Sequence, residues 1–115
     1  MTESAARVVL LAREGEARDR LRQALREAGA DVVAEVDPLT AAIDEVRSAT
    51  PQAVLVALEP AIEDALEDWD GLLAEPDIAV IYDEAVLAAS RTGWDAARWV
   101  RHLRAKLHRH DDVLP

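Results

Sequence analysis

Residues 51–60, PQAVLVALEP, hold the longest unbroken apolar run in the chain and are closed by proline at both ends. From Ala53 to Leu58 there is no charged residue, and the first acid is Glu59. A strand with one wet face alternates apolar and polar residues, so a continuous run fits a central strand covered on both faces, as in a parallel sheet. Open α/β sheets place their sites outside the carboxyl ends of the strands. Here that position falls on Ala57, Leu58 and Glu59, and Ala57 brings only a methyl group to it.

At 115 residues the chain is one domain with a single core. Half of the residues are hydrophobic, but with three Trp, one Tyr and no Phe the core has to be built from Ala, Val, Leu and Ile. No run reaches the roughly 18 apolar residues that span a bilayer, and MTESAARVVLL carries neither a basic leader nor a cleavage pattern. A cytoplasmic protein without membrane insertion is expected. The absence of cysteine excludes disulfides, thiolate catalysis and sulfur-ligated metals. A net charge of −10 argues against nucleic acid as partner. The charge is also uneven: residues 27–95 carry 17 acidic side chains against Arg47 and Arg91 alone, whereas both ends are mildly basic. Solvated helix faces account for most of it.

Working outward from the central run, residues 7–12 (RVVLLA) read as the first strand. Ala17, Leu21, Ala24, Leu25 and Ala28 then recur at helical spacing, with Arg18, Arg20, Arg22 and Arg26 off the stripe and Gly29 placed to stop the helix. Residues 30–36 form a second strand. Asp37-Pro38 opens a second helix, capped by Asp37 or Thr40, with Leu39, Ala42, Ile43 and Val46 as its buried stripe. After the central strand, Ile62, Leu66, Trp69 and Leu73 mark one face of a helix over residues 59–73. Residues 78–82 (IAVIY) are a fourth strand, 83–90 a short helix, and 94–110 a last helix with Ala96, Trp99, Val100, Leu103 and Leu107 on its stripe. Residues 111–115 (DDVLP) read as the start of a linker to a further domain, leaving residues 1–110 as the domain itself. Strands alternating with helices imply a parallel sheet with right-handed crossovers and helices on both faces. The expected fold is a flavodoxin-like three-layer α/β sandwich of four parallel strands in the order 2-1-3-4, without the fifth strand of that layout.

Laid out in this order, residues 7–109 resemble a response-regulator receiver domain. The likeness rests on the first strand VVLL, on REAGADVV before the second strand, and on PQAVLVALEP as the third. The segment WDAARWVRHLRAKLHRHDDVLP is similar to the region that follows the receiver-like part of chemotaxis-type protein-glutamate methylesterases in pilus chemosensory systems. The resemblance implies a site with two metal-holding acids after the first strand, a phospho-accepting Asp ending the third, a hydroxyl residue ending the fourth and a Lys after the fifth. Phosphoryl transfer needs such a metal and a positioned acceptor. In this chain the acid pair falls on Ala12 and Arg13, with Glu14 the nearest acid; the acceptor falls on Ala57; the hydroxyl falls on Tyr82 or Asp83; and the Lys has no counterpart. No shift of register rescues the acceptor, because no Asp lies between Gln52 and Glu63. The resemblance is therefore to a pseudo-receiver that keeps the scaffold without the chemistry, and Glu59, before Pro60, reads as an acid favoured at a helix start.

Glu14, Glu59, Asp83 and Glu84 converge at the carboxyl edge of such a sheet, but Arg13 among them favours ion pairs over a metal, with Asp83 or Glu59 as its partner. No metal or other cofactor is expected. His102, His108 and His110 lack the spacing of a helical metal pair. No phosphate-binding glycine loop or nucleophilic triad is present, so this segment is not expected to be an enzyme, and any methylesterase activity would lie beyond Pro115. Trp69 and Trp99 read as core, whereas Trp94 lies off the stripe. With Arg98 and Arg101 it marks an expected contact face for a protein partner, an effector domain of the same protein or a second copy. A small-ligand module using the cleft above the first and third strands, or a plain dimerisation domain, is the alternative.

Overall fold

The computed structural model describes residues 6–112, with side chains described through Leu107. Four parallel strands, β1 (Arg7–Leu11), β2 (Asp31–Val36), β3 (Ala53–Leu58) and β4 (Ala79–Glu84), form one sheet in the order β2-β1-β3-β4. The helices are α1 (Glu16–Glu27), α2 (Ile43–Ser48), α3 (Pro60–Leu66), α4 (Asp70–Leu73), α5 (Ala85–Ser90) and α6 (Gly93–Asp112), with a 3₁₀ turn, Glu67–Trp69, between α3 and α4. Parallel neighbours cannot be joined by a tight turn, so each crossover runs through helix over a face of the sheet.

The period-2 alternation of strands sorts the core into two halves. Val8, Leu10, Ala53, Leu55, Ala57 and Ile81 point to one face and pack with Leu21 and Leu25 of α1, Ala85 and Ala88 of α5, and Leu103 and Leu107 of α6. Val9, Leu11, Val54 and Val56 point to the other, against Val46 of α2, Ile62 of α3, Trp69 and Leu72. β3 is buried from Ala53 through Ala57, which is why its sequence shows no alternation. Three layers result, a helical layer on each face of the sheet.

Local chemistry explains where elements stop. α1 ends at Gly29, whose φ of 88° is in the left-handed region. There Gly29 N–H donates to Arg26 O and Ala30 N–H to Leu25 O, closing the exposed carbonyls of the last turn. Arg104 of α6 adds its guanidinium, donating to Glu27 O at 2.6 Å and binding α6 to that helix end. On the other face of the sheet Arg7 does the same for α2, donating to Ala49 O and Thr50 O.

Four expectations need correction. The second helix does not open at Asp37 or Thr40: the Asp37 carboxylate accepts from Leu39 N–H at 2.9 Å, forming a turn, and the helix starts at Ile43 with Ala42 as N-cap and Glu45 accepting from Ala42 N–H. Leu39 and Ala42 are consequently exposed, not part of a buried stripe. The helix over residues 59–73 is broken by the 3₁₀ turn, and Leu72, not Leu73, is buried. β4 runs on through Glu84, so Asp83 lies within a strand and does not begin a helix. The last helix continues through Asp112, and Val113 to Pro115 of the expected linker lie outside the described residues.

Candidate functional site

The carboxyl edge of the sheet is where β1, β3 and β4 end side by side, with Leu11 paired to Val56 and Ala57 to Asp83. Ala12 follows β1 and is buried; its N–H donates to Val36 O at 2.9 Å, which pins it between β1 and β2. Ala57 is fully buried, in the same apolar cluster as Ala12 and Ala85. The place where a parallel sheet usually opens to solvent is thus filled by three methyl groups. None can bind a cation, accept a proton or act as nucleophile.

Two ion pairs flank that plug. On one side Arg13 Nη1 lies 3.2 Å from Glu59 Oε1, so of the two partners expected for Arg13 it takes Glu59. This pair is solvated, with 45% of the Arg13 and 25% of the Glu59 side chain exposed. Glu14 and Glu84 face solvent and are not drawn into it. Among the described residues no group of three or more His, Asp or Glu side chains is arranged to hold a metal ion.

On the other side Asp83, the one buried acidic residue among those described, is held by Arg91 in a bidentate pair at 2.5 and 2.8 Å. The Arg91 guanidinium also lies 4.7 Å from the centre of the Trp99 ring, so it is clamped between a carboxylate and an aromatic face. The hydrogen bond to Asp83 raises Arg91 above the ordinary arginine pKa, outweighing the lowering caused by burial. Its backbone is fixed as well, because Arg20 of α1 donates to Arg91 O at 2.6 Å. Sequence reasoning left Arg91 between the short helix and the last one and missed this role. The signal was available: Arg47 and Arg91 are the two cations of the acidic section, and both are consumed by acids, Arg47 pairing with Glu75.

The remaining positions fall on two surfaces. Tyr82 alternates with Ile81 and Asp83, so it points to the α2 and α3 side, where it is 51% exposed. Trp94, in the first turn of α6, is 71% exposed, and the Arg98 guanidinium lies 5.7 Å from its ring centre. Arg98 and Arg101 line a groove between α5 and α6 floored by Leu87 and Trp99, with His102 on its wall. Trp94, Arg98 and Arg101 therefore share the N-terminal half of α6. His108 and His110 lie beyond the described side chains, and Trp99 is partly covered, packed on the core beneath Arg91.

Fold and edge together define a parallel α/β sandwich whose mouth is closed by alanine and by arginine–carboxylate pairs, beside an exposed Trp/Arg face. No family model matches the chain, and neither a curated protein nor a solved structure matches it. No helix among the described residues is long and apolar enough to cross a membrane.

Proposed function

We propose that this domain is a receiver-like module without phosphoryl-transfer chemistry, acting through protein contacts in a bacterial chemotaxis or two-component-type signalling protein. The observation that carries this reading is the buried methyl of Ala57 at the end of the central strand. A carboxylate is needed there to accept a phosphoryl group, and a metal is needed beside it to offset the developing charge. The neighbouring positions hold Ala12 and an arginine already paired with Glu59. The same plug bears on the small-ligand alternative, because Ala12 and Ala57 offer almost no accessible surface above β1 and β3.

The working surface in this reading is the face carrying Trp94, Arg98 and Arg101, bound by a partner protein or by an effector domain of the same protein. The Asp83–Arg91–Trp99 clamp joins the closed sheet edge to that face. The test is incubation with acetyl phosphate, or with beryllofluoride and Mg²⁺, followed by intact-mass and tryptophan-emission measurements. No adduct and no spectral change are expected, and a stoichiometric phospho-adduct would overturn the proposal. A thermal-shift screen with nucleotides and divalent ions separates the small-ligand alternative, for which a saturable stabilisation is required.

A further inference from the structure

Eight of the eleven arginines with described side chains are occupied. Arg13, Arg18, Arg22, Arg47 and Arg91 pair with acids, Arg20 with an acid and a carbonyl, and Arg7 and Arg104 with helix-end carbonyls. With 23 acidic residues against 13 basic ones, a cation on this surface should readily find a partner. Arg98 and Arg101 nevertheless make no ion pair with any described residue. Both line the groove between α5 and α6, whose floor is Leu87 and Trp99 and whose wall includes His102. The groove has one acid, Asp95, whose place in the first turn of α6 is explained by the helix dipole. Beside it stands the exposed Trp94 ring with Arg98 over it. Arg26 and Lys106 also lack an ion pair with a described residue, but neither lines the groove.

From this arrangement we propose that the groove docks an acidic segment of a partner protein, with carboxylates on Arg98 and Arg101 and an aliphatic side chain on the Leu87–Trp99 floor. The proposal rests on the reading of the α6 face as the contact surface and supplies the chemistry of what binds there. Charge complementarity selects the occupant. In a chain of net charge −10 the groove is a local cationic site, and an acidic peptide brings both the charge and the apolar anchor that the floor needs. A nucleic acid fits less well, because the groove has two unpaired arginines and not the row of cations that tracks a phosphate backbone.

The experiment titrates the domain into a fluorescein-labelled synthetic peptide of alternating Glu and Leu and reads anisotropy. Parallel arms use a Gln/Leu peptide, a single-stranded oligonucleotide of equal charge and vesicles of anionic lipid. Saturable binding to the Glu/Leu peptide alone is expected, weakening as salt is raised. The variant R98E/R101E should bind at least about tenfold more weakly, whereas R26E, a reversal at an equally unpaired cation outside the groove, should leave affinity unchanged. Far-UV circular dichroism confirms that each variant is folded. As an independent readout, peptide should blue-shift tryptophan emission in the wild type, and Trp94→Phe should reduce that shift. No binding of the Glu/Leu peptide, equal binding of the oligonucleotide or the vesicles, or equal loss in R26E would overturn the groove assignment while leaving the non-phosphorylatable module intact. A phospho-adduct would overturn that module while leaving the peptide result in place.

Discussion

Arg91 and Arg13 each pair with a carboxylate at the same edge of the sheet, but their surroundings make them unequal. The Asp83–Arg91 pair has side chains 7% and 20% exposed and is bidentate, so removing one partner strands a charge that is largely out of water. Asp83→Ala or Arg91→Ala should each lower unfolding free energy by about 2–4 kcal/mol, somewhat below the cost at a fully buried pair. The double variant should cost less than the two together, because the second change removes an already stranded group. Chemical denaturation of the four proteins measures this. Arg13→Ala breaks a solvated contact and should cost less than about 1 kcal/mol. Because the folded-state pKa of Arg91 is raised, its stabilising contribution is complete below the ordinary arginine pKa and is lost only as pH rises through the higher folded value. The coupling between Asp83 and Arg91 should therefore be flat through neutral pH, and a decline there would contradict the assignment. Ala57→Asp, the substitution that would restore an acceptor, places a carboxylate in a dry alanine cluster. It should destabilise by on the order of 3 kcal/mol without creating a phosphorylation site.

Helix breaks are the features that periodicity could not foresee. Along residues 59–73 a uniform 3.6-residue period puts Ile62, Leu66, Trp69 and Leu73 on one face, but the intervening 3₁₀ turn has only three residues per turn. That tighter winding advances the rotation, so the position buried after Trp69 is Leu72. Leu72→Ala should cost about 2–5 kcal/mol and Leu73→Ala distinctly less, measured by urea unfolding. Trp69→Ala should fall near 3–5 kcal/mol, since the ring is buried and its Nε1 donates to Pro38 O at 3.4 Å. Near Leu39 the expectation failed for a related reason: the Asp37 side chain captured a backbone N–H, satisfying the chain as a turn before a helix could start. The strands were more legible, because each is short and rich in apolar residues, and β2 and β3 have Gly or Pro close on both sides. The exception was the carboxyl end of β4, where Asp83 and Glu84 looked too polar for a strand. The arginine that makes Asp83 tolerable is eight residues further on, and the pairing is visible only after α5 has turned back over the sheet. The alanine plug was readable in the sequence as missing chemistry, whereas its burial and the clamp beside it required the fold.

At the level of the whole molecule the two edges of the sheet are treated differently. β2 is guarded: its pairing with β1 is irregular between Val8 and Val9, and its Glu35 is tied to Arg18 and Arg22 of α1. Irregular register and placed charges of this kind hinder a further strand from adding. β4 pairs with β3 in regular register, and among the described residues no strand pairs with its outer side. Its neighbourhood exposes Tyr82, together with Val86 and Leu87 of α5. Charge opposes the pairing of two such edges, since each copy carries −10, Asp77 precedes the strand and Glu84 ends it. The repulsion is long-ranged and screenable, whereas the apolar and backbone attraction at the edge is not weakened by salt. Self-association measured by sedimentation velocity should therefore increase with ionic strength, opposite in sign to binding of an acidic peptide at the α6 groove. Tyr82→Lys places a cation on the exposed edge and removes its aromatic ring, and should suppress the salt-induced association while leaving the melting temperature within a few degrees. Association that instead fell with salt, and that R98E/R101E abolished, would locate the contact between the basic end of α6 and the acidic face of a second copy.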